Sequence, residues 1–133
     1  MLLRELHNVQ NLKSLVREFI REAESKVHDW FGSGTFDEIC TEPGNCAMVS
    51  ERLSNWLRQR DVDATTITVA YAKNESWAKN AKVRPNTEED AHTVVLVDGT
   101  KVIDLTARQF DPKAPFPKFS TYQELMSEWK EIV

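Results

Sequence analysis

Between residues 10 and 30, Leu12, Leu15, Val16, Phe19, Ile20, Ala23 and Val27 recur at three- and four-residue spacing, which lays an apolar stripe along one helix face. Lys13, Arg17, Glu18, Arg21 and Glu22 fall mostly on the other side, so the spacing predicts an amphipathic helix. The period stops in FGSGTFDEICTEPGN, residues 31–45, where glycines, a proline and scattered polar residues predict a loop. A second amphipathic helix is expected over about 45–60, burying Ala47, Val49, Leu53, Trp56 and Leu57. Asn45 is placed to cap it, its side chain accepting from the first-turn amides.

The segment VDATTITVAYA, residues 62–72, alternates and is rich in β-branched side chains, so it reads as a strand. Residues 73–90 are charged, include a proline and show no clear period; Trp77 is the side chain there suited to dock on a core. An excursion of that length in a compact domain is often functional. AHTVVLV, DGT and KVIDLT then read as an antiparallel hairpin turning at Asp98-Gly99. Three prolines between 112 and 117 enforce an extended connection. Ser120-Thr121-Tyr122-Gln123 fits a capping box that starts a last helix carrying Tyr122, Leu125, Met126 and Trp129. Strands grouped between helices favour an α+β fold, with helices packed on a small antiparallel sheet, over a βαβ one.

A length of 133 residues suits one domain with its own core, and 41% apolar with 29% charged residues is a globular balance rather than a disordered one. The net charge of −4 disfavours nucleic acid as a partner, because phosphate contacts need clustered Lys and Arg. The longest apolar runs, such as TVVLV, fall far short of the roughly 20 residues that span a bilayer, so no membrane segment is expected. MLLRELHNVQNLK lacks a continuous apolar core and a small-residue cleavage site. The expected site of action is therefore cytoplasmic, which a domain delivered as part of a larger exported protein would share. Two cysteines support neither a disulfide framework nor a cysteine-rich zinc site, and His7 and His28 show no metal-ligand spacing. No metal and no cofactor is expected; oligomeric state is left open.

Cys46 follows a Gly-Asn turn at the first position of the second predicted helix. There the helix dipole and the unpaired first-turn amides favour a thiolate, and the same amides suit a developing oxyanion. An isolated cysteine at a helix start is otherwise an inert core residue. Asp104 changes that reading: it stands among Val102, Ile103 and Leu105, where a buried carboxylate needs a partner. If Asp98, Gly99 and Thr100 form a three-residue loop, Leu96 faces Val102, Val94 faces Asp104 and His92 faces Thr106. His92 and Asp104 then become same-face diagonal neighbours at roughly 7 Å, whereas a two-residue loop puts them on opposite faces. Acid orients base and base activates nucleophile: Cys46, His92 and Asp104 form a candidate thiol triad.

The order of GNCAMVSERL on a helix, AHTVVLVDG on a strand and VIDLTARQF on the next resembles the papain-like fold, and most closely its toxin domains that act as protein-glutamine deamidases. The resemblance covers roughly residues 36–112. It implies Cys46 as nucleophile, His92 as general base and Asp104 as the group orienting the imidazole. It also implies a protein substrate and a thioester intermediate, with glutamine deamidation as the leading activity. A papain-like cysteine peptidase and a non-catalytic binding module on the same scaffold are the alternatives. Papain-like proteases commonly place an oxyanion-donating Gln six residues before the nucleophile, where this chain has Cys40. The donors here are then expected to be the Cys46 amide with Asn45 or a nearby loop amide. Cys40 is alternatively a redox partner that masks Cys46 as a disulfide until reduction. Arg108 and Gln109 are read either as lining the substrate groove or as turn residues, and Trp56 and Trp129 as core.

Overall fold

The computed structural model describes residues 2–74, 77 and 91–133, with side chains described from residue 11 onward. Most of the 73–90 excursion therefore lies outside the described residues, as does the His7 side chain. The chain divides into two compact units, residues 1–36 and 37–133.

In the first unit the expected long helix runs as two, α1 (Leu2–Ser25) and α2 (Val27–Phe31). The break falls at Lys26, whose φ/ψ of −109°/21° leaves the helical region. Leu12, Val16, Phe19, Ala23 and Val27 are buried as the stripe predicts, while Leu15 and Ile20 lie at its half-exposed margins. Phe19 stacks on Trp30 at 5.7 Å and meets Phe36 edge-on at 6.2 Å, which anchors α2 back on α1. Gly32 ends α2 at φ 102°, a left-handed conformation that a side chain would strain.

The segment expected to be a loop contains a helix, α3 (Phe36–Thr41). Phe36, Ile39 and Cys40 are all buried, an i, i+3, i+4 triplet too short to register as a period between glycines. Asp37 and Glu38 in its first turn complement the helix dipole. The next helix, α4 (Cys46–Arg58), buries Val49, Leu53, Trp56 and Leu57 as expected. Ala47, however, is exposed, and the inward face instead carries Cys46, Ser50 and Ser54. Asn45 holds the N-cap position without capping: its Nδ2 donates to Ile39 O at 3.0 Å, tying α4 to α3 rather than accepting from the first turn.

The sheet contains five antiparallel strands: β1 (Ala64–Ala72), β2 (Ala91–Val97), β3 (Lys101–Asp104), β4 (Lys118–Thr121) and β5 (Trp129–Ile132), in the order β4-β3-β2-β1-β5. Its spine is the β1–β2 ladder, from Ala64 opposite Val97 to Ala70 opposite Ala91. The two short edge strands are not apparent in the sequence. Residues 118–121 follow the proline-rich connection without a strand pattern of their own, and Trp129 falls on the predicted last helix; in the structure it leaves that helix and opens β5. The last helix, α5 (Tyr122–Glu128), does begin with a capping box, but one residue later than expected. Thr121 Oγ1 accepts from Glu124 N, and Glu124 accepts from Thr121 N. Ser120 is unavailable because it pairs with Val102 in the β3–β4 ladder.

One sheet face buries Val69, Val94 and Val102 against Phe110, Leu125 and Trp129, and Trp77 packs on this cluster as the sequence suggests. Helix α4 packs along β1 and β2. The architecture is thus α+β, with helices on a small antiparallel sheet. Among the described residues no helix is long and apolar enough to cross a membrane.

Leu53 is fully buried on α4, so Leu53→Ala should cost about 2–5 kcal/mol in urea unfolding followed by tryptophan fluorescence. Ala47→Gln, on the exposed side of the same helix, should stay within about 0.5 kcal/mol of the parent.

Candidate active site

The β2–β3 turn decides whether a histidine and an aspartate meet. Asp98 and Gly99 both take left-handed backbone, φ 54° and 71°, and Thr100 N donates to Val97 O at 3.1 Å. Val97 pairs with Lys101 and Leu96 with Val102, the register that a three-residue loop requires. His92 and Asp104 consequently project from the same face, and His92 Nε2 lies 2.7 Å from Asp104 Oδ2. The second carboxylate oxygen, Oδ1, accepts from Thr106 N at 2.9 Å and from Thr106 Oγ1 at 3.4 Å. An ionised carboxylate only accepts, so the hydrogen on the His92 bond belongs to Nε2.

The imidazole is locked in its plane. Trp129 stacks on it at 5.4 Å and Phe110 meets it edge-on at 4.7 Å. At 1% exposure the ring is buried, and Nδ1 has no hydrogen-bond partner. Nε2 is committed to Asp104, and the ring and the Cys46 thiol perturb each other's ionisation. A shallow pocket lined by Trp77, Asp111 and Lys118, among others, opens on the His92–Asp104 pair.

Cys46 reaches this position because β3 is short. The β2–β3 ladder runs only to Val95 opposite Ile103, and β3 ends at Asp104. Backbone groups of alternate strand residues point to the same side, so Thr93, like Val97, directs its N–H and C=O toward the place where β3 has run out. Helix α4, packed over β1 and β2, reaches that place with its N-terminal half. Ser50 Oγ donates to Thr93 O at 2.8 Å, and the Thr93 amide donates toward the Cys46 sulfur. Cys46 and Ser50 stand one helical turn apart, so a single helix face takes up both orphaned groups of one residue.

The charges follow from this packing. Burial pushes the Asp104 carboxyl up, but the His92 ring, the Thr106 amide and Lys118 outweigh it and hold the group below the usual carboxylate value. Burial pulls His92 down, and Asp104 with Cys46 more than reverses that, leaving the ring well above its ordinary value. Burial likewise pushes the Cys46 thiol up, while the hydrogen bonding and charge of His92 and the Thr93 amide bring it below an ordinary thiol. Each shift favours the charged form of its group: thiolate, imidazolium and carboxylate.

Cys40 behaves oppositely. It is buried, and burial together with Asp37 and Asp104 pushes its thiol up to about 12. Both cysteines are free thiols. One hydrogen of Asn45 Nδ2 is committed to Ile39 O, and the first-turn amides of α4 adjoin Cys46 at the helix start. Gln109 is buried, and its Nε2 donates to Glu42 O, tying the turn after Asp104 to the loop before Cys46; Arg108 Nε donates to Ala114 O at 2.9 Å. Both therefore take the turn reading. Ser50 is the site residue that sequence reasoning misses. Its one signal is a polar side chain on the apolar face of a helix, a turn beyond Cys46. Among the described residues no group of three or more His, Cys, Asp or Glu is placed to hold a metal ion.

No protein-family model, curated protein or solved structure matches this chain.

Two measurements test the coupling. The rate of Cys46 alkylation by iodoacetamide should rise with an inflection below the ordinary thiol value of about 8.5, and His92→Ala should move that inflection above it, because burial and the Asp104 charge are then opposed by the Thr93 amide alone. In Asp104→Asn, urea unfolding should show the largest loss of stability relative to the parent between about pH 4 and 6.5. The loss should shrink on the acid side as Asp104 of the parent protonates below its unfolded value of about 3.9. It should shrink on the alkaline side as pH climbs from the unfolded histidine value of about 6.5 through the raised folded one.

Proposed function

We propose that this protein is a cysteine-dependent amide hydrolase that deamidates a glutamine side chain on a target protein. The observation that carries this reading is the buried His92 ring, fixed by Asp104 through Nε2, with Nδ1 unpartnered and its ionisation coupled to that of the Cys46 thiol. A histidine so placed keeps Nδ1 available to exchange a proton with the thiol or with a substrate.

In this reading the Cys46 thiolate attacks the carboxamide carbon, and the carbonyl oxygen takes up negative charge beside the first-turn amides of α4. The imidazolium of His92 gives its Nδ1 proton to the departing nitrogen, so ammonia leaves and a thioester remains. Water then attacks the thioester while neutral His92 accepts its proton. Collapse expels the Cys46 thiolate, leaving glutamate and restoring the ion pair. Asp104 holds the ring orientation and stabilises the imidazolium throughout, without itself taking a proton.

The choice of a side-chain amide rests on the recess of the sulfur. Cys46 is 8% exposed, which suits a carboxamide at the end of a flexible stem better than a peptide bond set in a backbone. The resemblance of GNCAMVSERL, AHTVVLVDG and VIDLTARQF to papain-like deamidase domains points the same way.

Incubation with glutamine-bearing peptides should release ammonia and leave products that carry the mass gain of an NH2-to-OH exchange. Cys46→Ala should reduce the rate by about 10³-fold or more. Peptide fragments in place of intact deamidated chains would overturn the side-chain assignment in favour of backbone cleavage.

A further inference from the structure

We propose that Ser50 is a positioning residue for the thiol: by gripping the Thr93 carbonyl it sets the height of α4 along β2, and with it the placement of Cys46 against His92. This rests on the reading of Cys46 and His92 as nucleophile and base.

Cys46 has no direct covalent or ladder connection to the hairpin that carries His92 and Asp104. What fixes it there is the docking of α4 on a strand edge left open by the end of β3. At that edge Thr93 offers one donor and one acceptor. The acceptor is taken by Ser50 Oγ at 2.8 Å, in a bond that is buried and links residues 43 apart in sequence. Its donor faces the Cys46 sulfur. Thr93 is also the immediate neighbour of His92 in β2, and its own hydroxyl lies 2.9 Å from Thr68 Oγ1, which steadies it against β1. Moving α4 by part of a turn would therefore break the Ser50 bond and shift the sulfur from both the Thr93 amide and the imidazole. The hydroxyl acts at a distance from the chemistry, through the position of the helix.

Ser54 provides the matched control. It is as deeply buried on the same helix face, but its hydroxyl accepts from Arg58 at 2.7 Å, a bond local to α4. A structural contribution from a buried serine hydroxyl is common to both; a contribution to thiol placement belongs to Ser50.

The test is the pH dependence of iodoacetamide alkylation at the Cys46 peptide, read by mass spectrometry, with urea unfolding confirming that each variant is folded under the conditions used. Ser50→Ala should raise the inflection and lower the rate near pH 6 by about tenfold, the equivalent of one pKa unit. Ser54→Ala should leave both close to the parent, and Ser50→Thr, which keeps the hydroxyl, should restore most of the rate. In a His92→Ala background, Ser50→Ala should have a smaller effect, because the larger part of its influence runs through the imidazole and only the Thr93 amide remains. If His92→Ala slows alkylation while Ser50→Ala matches Ser54→Ala, the positioning role is overturned and the triad stands. The positioning role is equally overturned if Ser50→Ala slows alkylation by the same factor with and without His92. If His92→Ala itself changes nothing, the reading of the site as an activated thiol has failed, and the role of Ser50 with it.

Discussion

Burying an ionised carboxylate costs several kcal/mol unless hydrogen bonds and an opposite charge replace the lost water. Asp104 sits under that constraint, at the end of a strand whose neighbouring residues are apolar. Its two oxygens are met by the His92 ring on one side and by the backbone amide and hydroxyl of Thr106 on the other. Because the Thr106 contact reaches back only two residues, the chain must leave the strand direction just after Asp104. The bend that satisfies the carboxylate is the same bend that ends β3. The open edge of β2, the docking of α4 and the approach of Cys46 all follow from it.

The site is therefore a consequence of how one polar group is satisfied rather than a set of side chains added to a finished scaffold. Trp129 and Phe110 complete it from the other direction. Both belong to the apolar cluster of the sheet face, yet both also wall the imidazole, so core packing and ring orientation are a single requirement. Gln109 adds a brace from the turn after Asp104 to the loop before Cys46.

Much of this is legible in the sequence where the signal is local. Asp98-Gly99 dictates left-handed backbone, left-handed backbone dictates the loop, and the loop dictates which residues share a face; the His92–Asp104 contact follows by counting. The capping motif is visible too, although two overlapping candidates differ by one residue, and only the strand pairing of Ser120 decides between them. Features set by tertiary context are hidden. Helix α3 has one buried triplet between glycines. β4 and β5 are four residues each, too short for alternation to stand out, and exist because the long β1–β2 ladder and β3 beside it offer edges to pair with. Asn45 has the side chain of a cap but finds the Ile39 carbonyl within reach first. The pairing of Ser50 with Thr93 spans 43 residues and has no sequence period at all.

The distance in sequence between Cys46 and its partners has a chemical meaning. An ionised thiol is a hazard to a chain still being made, since it invites oxidation and mixed disulfides. Here the groups that lower the thiol's proton affinity, the amide of Thr93 and the ring of His92, meet it only through the tertiary packing of α4 on the sheet. Without that packing Cys46 is an ordinary cysteine. The lowered proton affinity of Cys46 thus belongs to the folded chain and not to its local sequence.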